Sequence, residues 1–488
     1  MPGPDPATQL YAAPRPRAEL LIRAAHVVDP RAGLDGPHDV LVRDGEIAQL
    51  GAPHSLSAPV GAETVDGSAR YLFPAFVDPH VHLRSPGQEY KEDITTGTAA
   101  AAAGGYCAVV AMPNTSPTVD TAAVVESLVA RARAQARIPT GFLAAITRGL
   151  HGDELTEMAE LRDAGAIGFT DDGRPVVSAG MLRKALQYQR LAGGIIALHE
   201  EDPALSGAGV MHEGAVSARL GMAGIPSVSE STMVARDAAL ARYEGARVHF
   251  QHLSCAESVE VLAAARQAGP PALVSGEASP HHLTLTDDAV LGLDSRFKMN
   301  PPLRAESDRR ALVEALRSGV IDCVATDHAP HARHEKEVPF EEASMGTTGS
   351  ETAFAALYTE LVIPGTLALS VLIARMTAGG GLYGLPIPRI APGEPANLAL
   401  VDLEATWTVG EDGYASRSEN CCFAGRRLSG RVLLTVAGGV VAHRRPMLAP
   451  DSDLADADPS DPSDPSDPSD PANRSQSTSA NATTAATR

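Results

Sequence analysis

The sequence predicts an α/β fold, a (β/α)8 TIM-type barrel with a small β-sandwich domain formed from both chain ends. Two observations carry that reading. Between residues 73 and 385 short apolar runs alternate with Ala-rich helical stretches, the pattern of βα units on a parallel sheet. On either side, Leu20 to Gly51 and Ala396 to His443 hold short β-rich runs punctuated by Gly and Asp turns, as expected of a small sheet built from both termini. Eight central runs qualify as barrel strands. They end at Val81-His82, Val109 to Met112, Leu143 to Ile146, Ile167 to Thr170, Ile195 to Leu198, Val248 to Gln251, Ala272 to Ser275 and Cys323 to Thr326. The expected domains are a disordered extension at 1–19, the small domain at 20–72 plus 386–446, the barrel at 73–385 and a disordered tail at 447–488.

Composition narrows the function. Of 488 residues 44% are hydrophobic but only 4% aromatic, which suits an aliphatic barrel core. The net charge of -20 and the lack of any Lys/Arg cluster argue against a nucleic-acid partner. Five Cys without a Cys-x-x-Cys pattern read as reduced thiols. No apolar run reaches the roughly 18 residues that span a bilayer, and the Pro-rich start lacks a signal-peptide pattern, so no membrane partner and a cytoplasmic location are expected. From Asp451 onward the chain turns to four Asp-Pro-Ser units and a Ser/Thr/Ala/Asn tail, which cannot bury a core.

The strand ends carry the chemistry, because a barrel brings them to one mouth. His80 and His82 follow the first run, and alternate residues of a strand face the same way. Asp171-Asp172-Gly173 follows the fourth, His199-Glu200-Glu201-Asp202 the fifth, His252 the sixth and Asp327-His328-Ala329-Pro330-His331 the eighth. Four His and two carboxylates can hold two divalent ions if one carboxylate bridges them and a position stays open for water. Asp327 is the candidate for taking a proton from that water and passing it to a leaving nitrogen. His281, His282 and His328 are expected to hydrogen-bond around the ligands, and His249, inside an apolar run, to be core.

These residues reach a family. Asp78-Pro79-His80-Val81-His82-Leu83-Arg84-Ser85-Pro86-Gly87-Gln88-Glu89, Met112-Pro113-Asn114-Thr115, Thr170-Asp171-Asp172-Gly173, Met299 to Arg304 and Ala325 to His331 closely resemble type I dihydroorotase of the amidohydrolase superfamily. The resemblance runs from about Leu20 to His443. It implies two zinc ions per subunit, with His80, His82 and Asp327 on one, His199 and His252 on the other, and Asp172 bridging. It further implies that Arg84, Asn114 and His331 hold a free substrate carboxylate, that Asn300 is a further contact, and that His82 lies beside the substrate as well as the metal. Met345-Gly346 stand in a substrate-side loop position where the family often has Phe-Gly. Relatives such as hydantoinase and allantoinase bridge their metals with a carboxylated Lys at the fourth strand. This chain has only Lys91, Lys184, Lys298 and Lys336, none at that strand end.

The resemblance therefore implies reversible closure of N-carbamoyl-L-aspartate to L-dihydroorotate in pyrimidine synthesis. Its rivals are a hydantoinase- or allantoinase-type enzyme and a silent, dihydroorotase-like scaffold for aspartate transcarbamoylase, a companion of the family. A homo-oligomer is also expected. The polar, Gly-punctuated stretch from His331 to Gly349 reads as a loop that closes over bound ligand.

Overall fold

In the computed structural model, which describes residues 9–446, eight parallel strands follow one another in chain order around the barrel. They are Phe76–Val81, Tyr106–Ala111, Thr140–Ala144, Gly168–Thr170, Ile195–Leu198, Val248–Phe250, Val274–Ala278 and Cys323–Val324. The first and last meet where Val81 pairs with His328, and the His82 N–H donates to the His328 carbonyl at 2.9 Å, which brings the sheet nearly to closure. Strands such as Tyr106–Ala111 and Ile195–Leu198 are buried along their whole length, which is why they read as unbroken apolar runs.

Helices return the chain between strands, and their ends are written in the sequence. Ile94–Ala103 starts at Asp93, whose carboxylate accepts the Thr96 N–H at 2.8 Å, and runs on through helix-favouring Ala. Glu306–Ser318 buries Leu312, Val313 and Leu316, turns Arg310 and Arg317 outward and stops at Gly319, whose φ of 88° suits glycine.

The chain ends form one further eight-stranded sheet. Its path runs from Val440–Arg444 through Arg427–Ala437, Leu398–Thr408, Tyr71–Pro74, Leu20–Asp29 and Leu34–Arg43 to Glu46–Gly51. Glu63–Asp66 lies parallel to the start of Leu20–Asp29, while Tyr71 and Leu72 pair with His26 and Val27. The change of partner falls at a bulge around Ala24, and the sheet wraps round its own core of Ile22, Val40, Ile47, Leu72, Leu398 and Leu434. Other residues of the same sheet, among them Val401 and Val432, pack into the barrel core, so barrel and sheet form one compact unit.

Two expectations need correction. Residues 9–19, read as part of a disordered extension, lie on the barrel: Tyr11 and Thr140 exchange backbone hydrogen bonds at 3.0 and 2.9 Å, and Arg133 stacks over the Tyr11 ring. One aromatic ring and a two-bond bridge are too local to leave a periodic signal. The seventh strand begins and ends later than expected, because Pro271–Leu273 forms a 3-10 turn and the strand continues through Ser-Gly-Glu to Ala278. Residues 1–8 and the acidic tail at 447–488 lie outside the described residues. No helix among those described is long and apolar enough to cross a membrane.

Candidate metal centre and active site

His80, next to the last residue of the first strand, has no exposed surface, and the two sides of its ring meet different company. Nδ1 lies 2.7 Å from Glu277 Oε1, whereas the buried Nε2 has no hydrogen-bond partner among the described residues and lies 3.4 Å from Asp172 Oδ1 and 3.6 Å from Asp327 Oδ1. His82 is arranged alike. Its Nδ1 donates to Asn114 Oδ1 at 2.9 Å, and Nε2 lies 3.1 Å from Asp327 and 3.5 Å from Asp172. Asn114 Nδ2 in turn donates to Asp172 Oδ2 at 3.2 Å, so this residue, expected on the substrate side, also ties one candidate ligand to another.

The fourth strand divides its two acids. Asp172 points at His80, at His252 (3.5 Å) and at His199 (3.8 Å). Asp171 turns away and accepts the N–H groups of Ile146 and Thr147 at 2.8 and 3.0 Å, together with the Thr147 hydroxyl. His199 Nδ1 and His252 Nε2 stand 3.0 Å apart, a distance at which two lone pairs repel unless a proton or a cation lies between them. His199 Nε2 faces Glu201 at 3.3 Å, and Asn300 Nδ2 donates to the same Glu201 oxygen at 2.8 Å.

Facing the cavity, two sets of ligand atoms gather within reach of one ion each, His80 with Asp172 and His252, and His80 with His82 and Asp327. The second is a set expected from the sequence. The first joins His252 and Asp172 as expected but adds His80, while His199 reaches the group through His252. The donors fit a divalent cation: a buried imidazole nitrogen with no partner looks onto two carboxylates, and the opposite nitrogen is held by an acid. Burial would raise the carboxyl of Asp172, but the imidazoles of His80, His252 and His82 hold it well below the usual range, and Asp327 is lowered in the same way. Asp171, lacking such neighbours, is pushed up by burial to about 6 against its hydrogen bonds from Thr147 and Ile146. Arg84, His252 and Asp327 adopt left-handed φ values of 54°, 32° and 46°, a strained backbone for such residues that is held here by its surroundings.

A cavity of about 220 Å³ opens over these ligands, lined by His82, Arg84, Asn114, Asp172, Gly173, His199, His252, Asn300, Asp327, Ala329, His331, Met345 and Gly346. Arg84 is buried there with its Nε donating to the Pro330 carbonyl at 3.1 Å, and among the described residues no carboxylate hydrogen-bonds to its guanidinium. His331 donates from Nε2 to the Met345 carbonyl at 2.8 Å. Burial, with Arg84 and two lysines nearby, brings its pKa down to about 4 despite Glu335, so the imidazole is neutral near pH 7.

A family model described as dihydro-orotase-like matches residues 69–258. Dihydroorotase of Anaeromyxobacter dehalogenans strain 2CP-1 is 46% identical over 427 residues, covering 87% of this chain and 98% of the relative. Dihydroorotase of Pelotomaculum thermopropionicum is 45% identical over 424 residues with the same coverage. The chain belongs to the dihydroorotase family. Among solved structures, L-hydantoinase (dihydropyrimidinase) from Arthrobacter aurescens superposes with a TM-score of 0.78 at 24% identity, covering 88% of this chain and 97% of that one, which shows a shared fold.

Within this dihydroorotase framework the structure adds residues that the sequence did not single out. Glu277 is fully buried between His80 and His249, and His249, read as a core residue, is hydrogen-bonded at both nitrogens, to Ser275 at 2.9 Å and Glu277 at 3.0 Å. Asn420, from the C-terminal part of the chain, accepts the His331 N–H at 3.0 Å and donates to the carbonyls of Ala329 and Gly346. No local pattern marks Asn420, whereas an acid inside a barrel strand would have marked Glu277 had the seventh strand been placed correctly. Of the three histidines expected to hydrogen-bond around the ligands, His282 bonds to Ser279 and Pro301 and His328 to Glu92 and Gly349, whereas the His281 ring packs on that of His282 with no side-chain hydrogen bond among the described residues.

Proposed function

We propose that this dihydroorotase family member catalyses the reversible zinc-dependent ring closure of N-carbamoyl-L-aspartate to L-dihydroorotate, and that His80, His82, Asp172, His199, His252 and Asp327 would hold two zinc ions. The observation that carries the reading is Arg84, a buried cation to which no carboxylate among the described residues hydrogen-bonds, lining the cavity beside the His/Asp cluster. Such a group favours a ligand carrying a free carboxylate, which the planar guanidinium can grip through two hydrogen bonds. When bound, zinc would supply Lewis acidity to the amide carbonyl and acidity to a water molecule.

The chain's own residues do the rest. Arg84, with His331 and Asn300 on the cavity wall, fixes the substrate's orientation. Asp327 takes the proton from the attacking water and, as the ring C–N bond breaks, delivers it to the departing nitrogen; closure of carbamoyl aspartate retraces these steps. A hydantoinase-type reading is favoured by the shared fold alone, and the acid pair at the fourth strand, without a Lys, counts against it. The companion aspartate transcarbamoylase and a homo-oligomer belong to this reading only through the family resemblance.

The test is turnover of dihydroorotate, hydantoin, dihydrouracil and allantoin by the purified full chain, with metal content measured on the same sample. Dihydroorotate should be strongly preferred. Replacing Arg84 with Met should lower kcat/KM for it roughly 10- to 100-fold, since a hydrogen bond to a charged group contributes about 1.5–3 kcal/mol. Preference for a ring without a carboxylate would replace this reading with the hydantoinase one.

A further inference from the structure

The layer directly beneath the candidate metal centre is polar, where the interior of a barrel is ordinarily filled by branched apolar side chains. Thr170, His249, Gln251 and Glu277 are all buried there. Glu277 Oε1 lies 2.7 Å from His80 Nδ1 and accepts the His252 backbone N–H at 3.2 Å. Its other oxygen faces His249 Nε2 at 3.0 Å, and His249 Nδ1 faces the Ser275 hydroxyl at 2.9 Å. Every oxygen and ring nitrogen of the Glu277–His249 pair is thereby occupied.

The distances fix the proton positions. If His80 Nδ1 were unprotonated it could accept from Gln251 Nε2 at 3.3 Å, but its lone pair would then face a carboxylate oxygen at 2.7 Å, where like partial charges repel strongly. With a proton on Nδ1 the short contact becomes a charge-assisted hydrogen bond, and the longer one to Gln251 is merely a neighbour. Nε2 is then left as a bare lone pair, and it is the buried nitrogen without a partner that looks onto Asp172 and Asp327.

We propose that Glu277, braced by His249, is a positioning residue that fixes the tautomer and orientation of His80 so that Nε2 faces a divalent cation. This rests on the metal-dependent reading above. His249, Glu277 and Cys323 have ligand atoms close enough to suggest a cation site of their own, but both Glu277 oxygens are taken by hydrogen bonds to His80, His249 and His252. The cluster therefore acts as a brace for His80.

The experiment measures zinc affinity of the full chain, stripped and re-titrated against a chromophoric chelator, for the wild type, Glu277→Ala and Glu277→Gln. Visible spectra of the cobalt-loaded proteins and melting of the metal-free proteins are recorded alongside. Glu277→Ala should weaken one metal site 10- to 100-fold and alter the cobalt spectrum, as loss of a ligand's hydrogen-bond partner does. Glu277→Gln, which keeps an oxygen to accept the Nδ1 proton, should recover part of that loss. Wild-type affinity in Glu277→Ala, with only the melting temperature lowered, overturns the proposal. So does a wild-type count of three metals falling to two in the variant. Should Glu277→Ala fail to fold, the imidazole nitrogen-15 spectrum of the wild type decides, because a proton on His80 Nε2 in place of Nδ1 also overturns it. A wild type that takes up no divalent metal defeats the proposed function first, before any variant is compared.

Discussion

Asp327 lies 3.1 Å from His82 Nε2 and 3.6 Å from His80 Nε2, and these imidazoles hold its carboxyl below the usual range, so it is ionised at neutral pH. Asp327→Asn keeps an oxygen for a metal but removes the proton acceptor, and kcat should fall by roughly 10²- to 10⁴-fold with metal content preserved. Near-normal turnover in a metal-replete variant would remove Asp327 from the proton path. Asp171 and Asp172 show what one residue's sequence can and cannot say. Both follow the fourth strand, and nothing local distinguishes them; Thr147 and Ile146, from the preceding strand end, claim Asp171 and leave Asp172 to the histidines. Accordingly Asp172→Ala should lose metal and activity together, and Asp171→Ala should retain its metal. Equal metal loss in both, measured by elemental analysis, would undo that division.

At the scale of elements, the first, fifth and sixth strands were legible because apolar runs end abruptly in ligand-type residues. The seventh was not, since Ser275, Gly276 and Glu277 look like a turn until the barrel places them inside. The loop from His331 to Gly349 gives a similar lesson. Its composition suggests a lid, yet Lys336 is buried with its ammonium on the carbonyls of Ser344 (2.8 Å) and Gly346 (3.0 Å). Gly346 N–H donates to the Lys298 carbonyl, and a Cβ at Gly346 would stand 2.7 Å from that of Ala329. Both ends are therefore seated, and the exposed residues, Arg333, His334, Glu337, Pro339, Glu341 and Glu342, lie between them. Hydrogen exchange in the ligand-free protein should be fast in that middle segment and slow at Gly346, Thr347 and Gly349. Uniformly fast exchange across the loop would restore a lid that opens as a whole.

For the whole molecule, the decisive feature is that the terminal sheet and the barrel share buried residues, so strain or charge introduced in one is felt in the stability of both. His443, on the last strand and distant from the metal ligands in sequence, offers a clean probe. Among the described residues its buried Nε2 has no partner, and burial, reinforced by Arg445 and Arg137, brings its pKa down to about 4. The folded state thus leaves this imidazole neutral between about pH 6.5 and 4, while the unfolded chain protonates it. Because the unfolded state binds the extra proton, stability contributed above pH 6.5 is lost as the pH falls towards 4. Asp78 and Asp171, both raised to about 6, take up protons in the folded state and oppose this trend, so the total pH dependence mixes several groups. A difference measurement isolates one of them. Denaturant unfolding of wild type and His443→Gln at a series of pH values should show the wild type losing up to about 1.4 kcal/mol more per pH unit across that window, with the two curves parallel above pH 7. Parallel curves throughout would mean that His443 titrates alike in both states and that the edge of the terminal sheet opens to solvent, independently of the barrel beneath it.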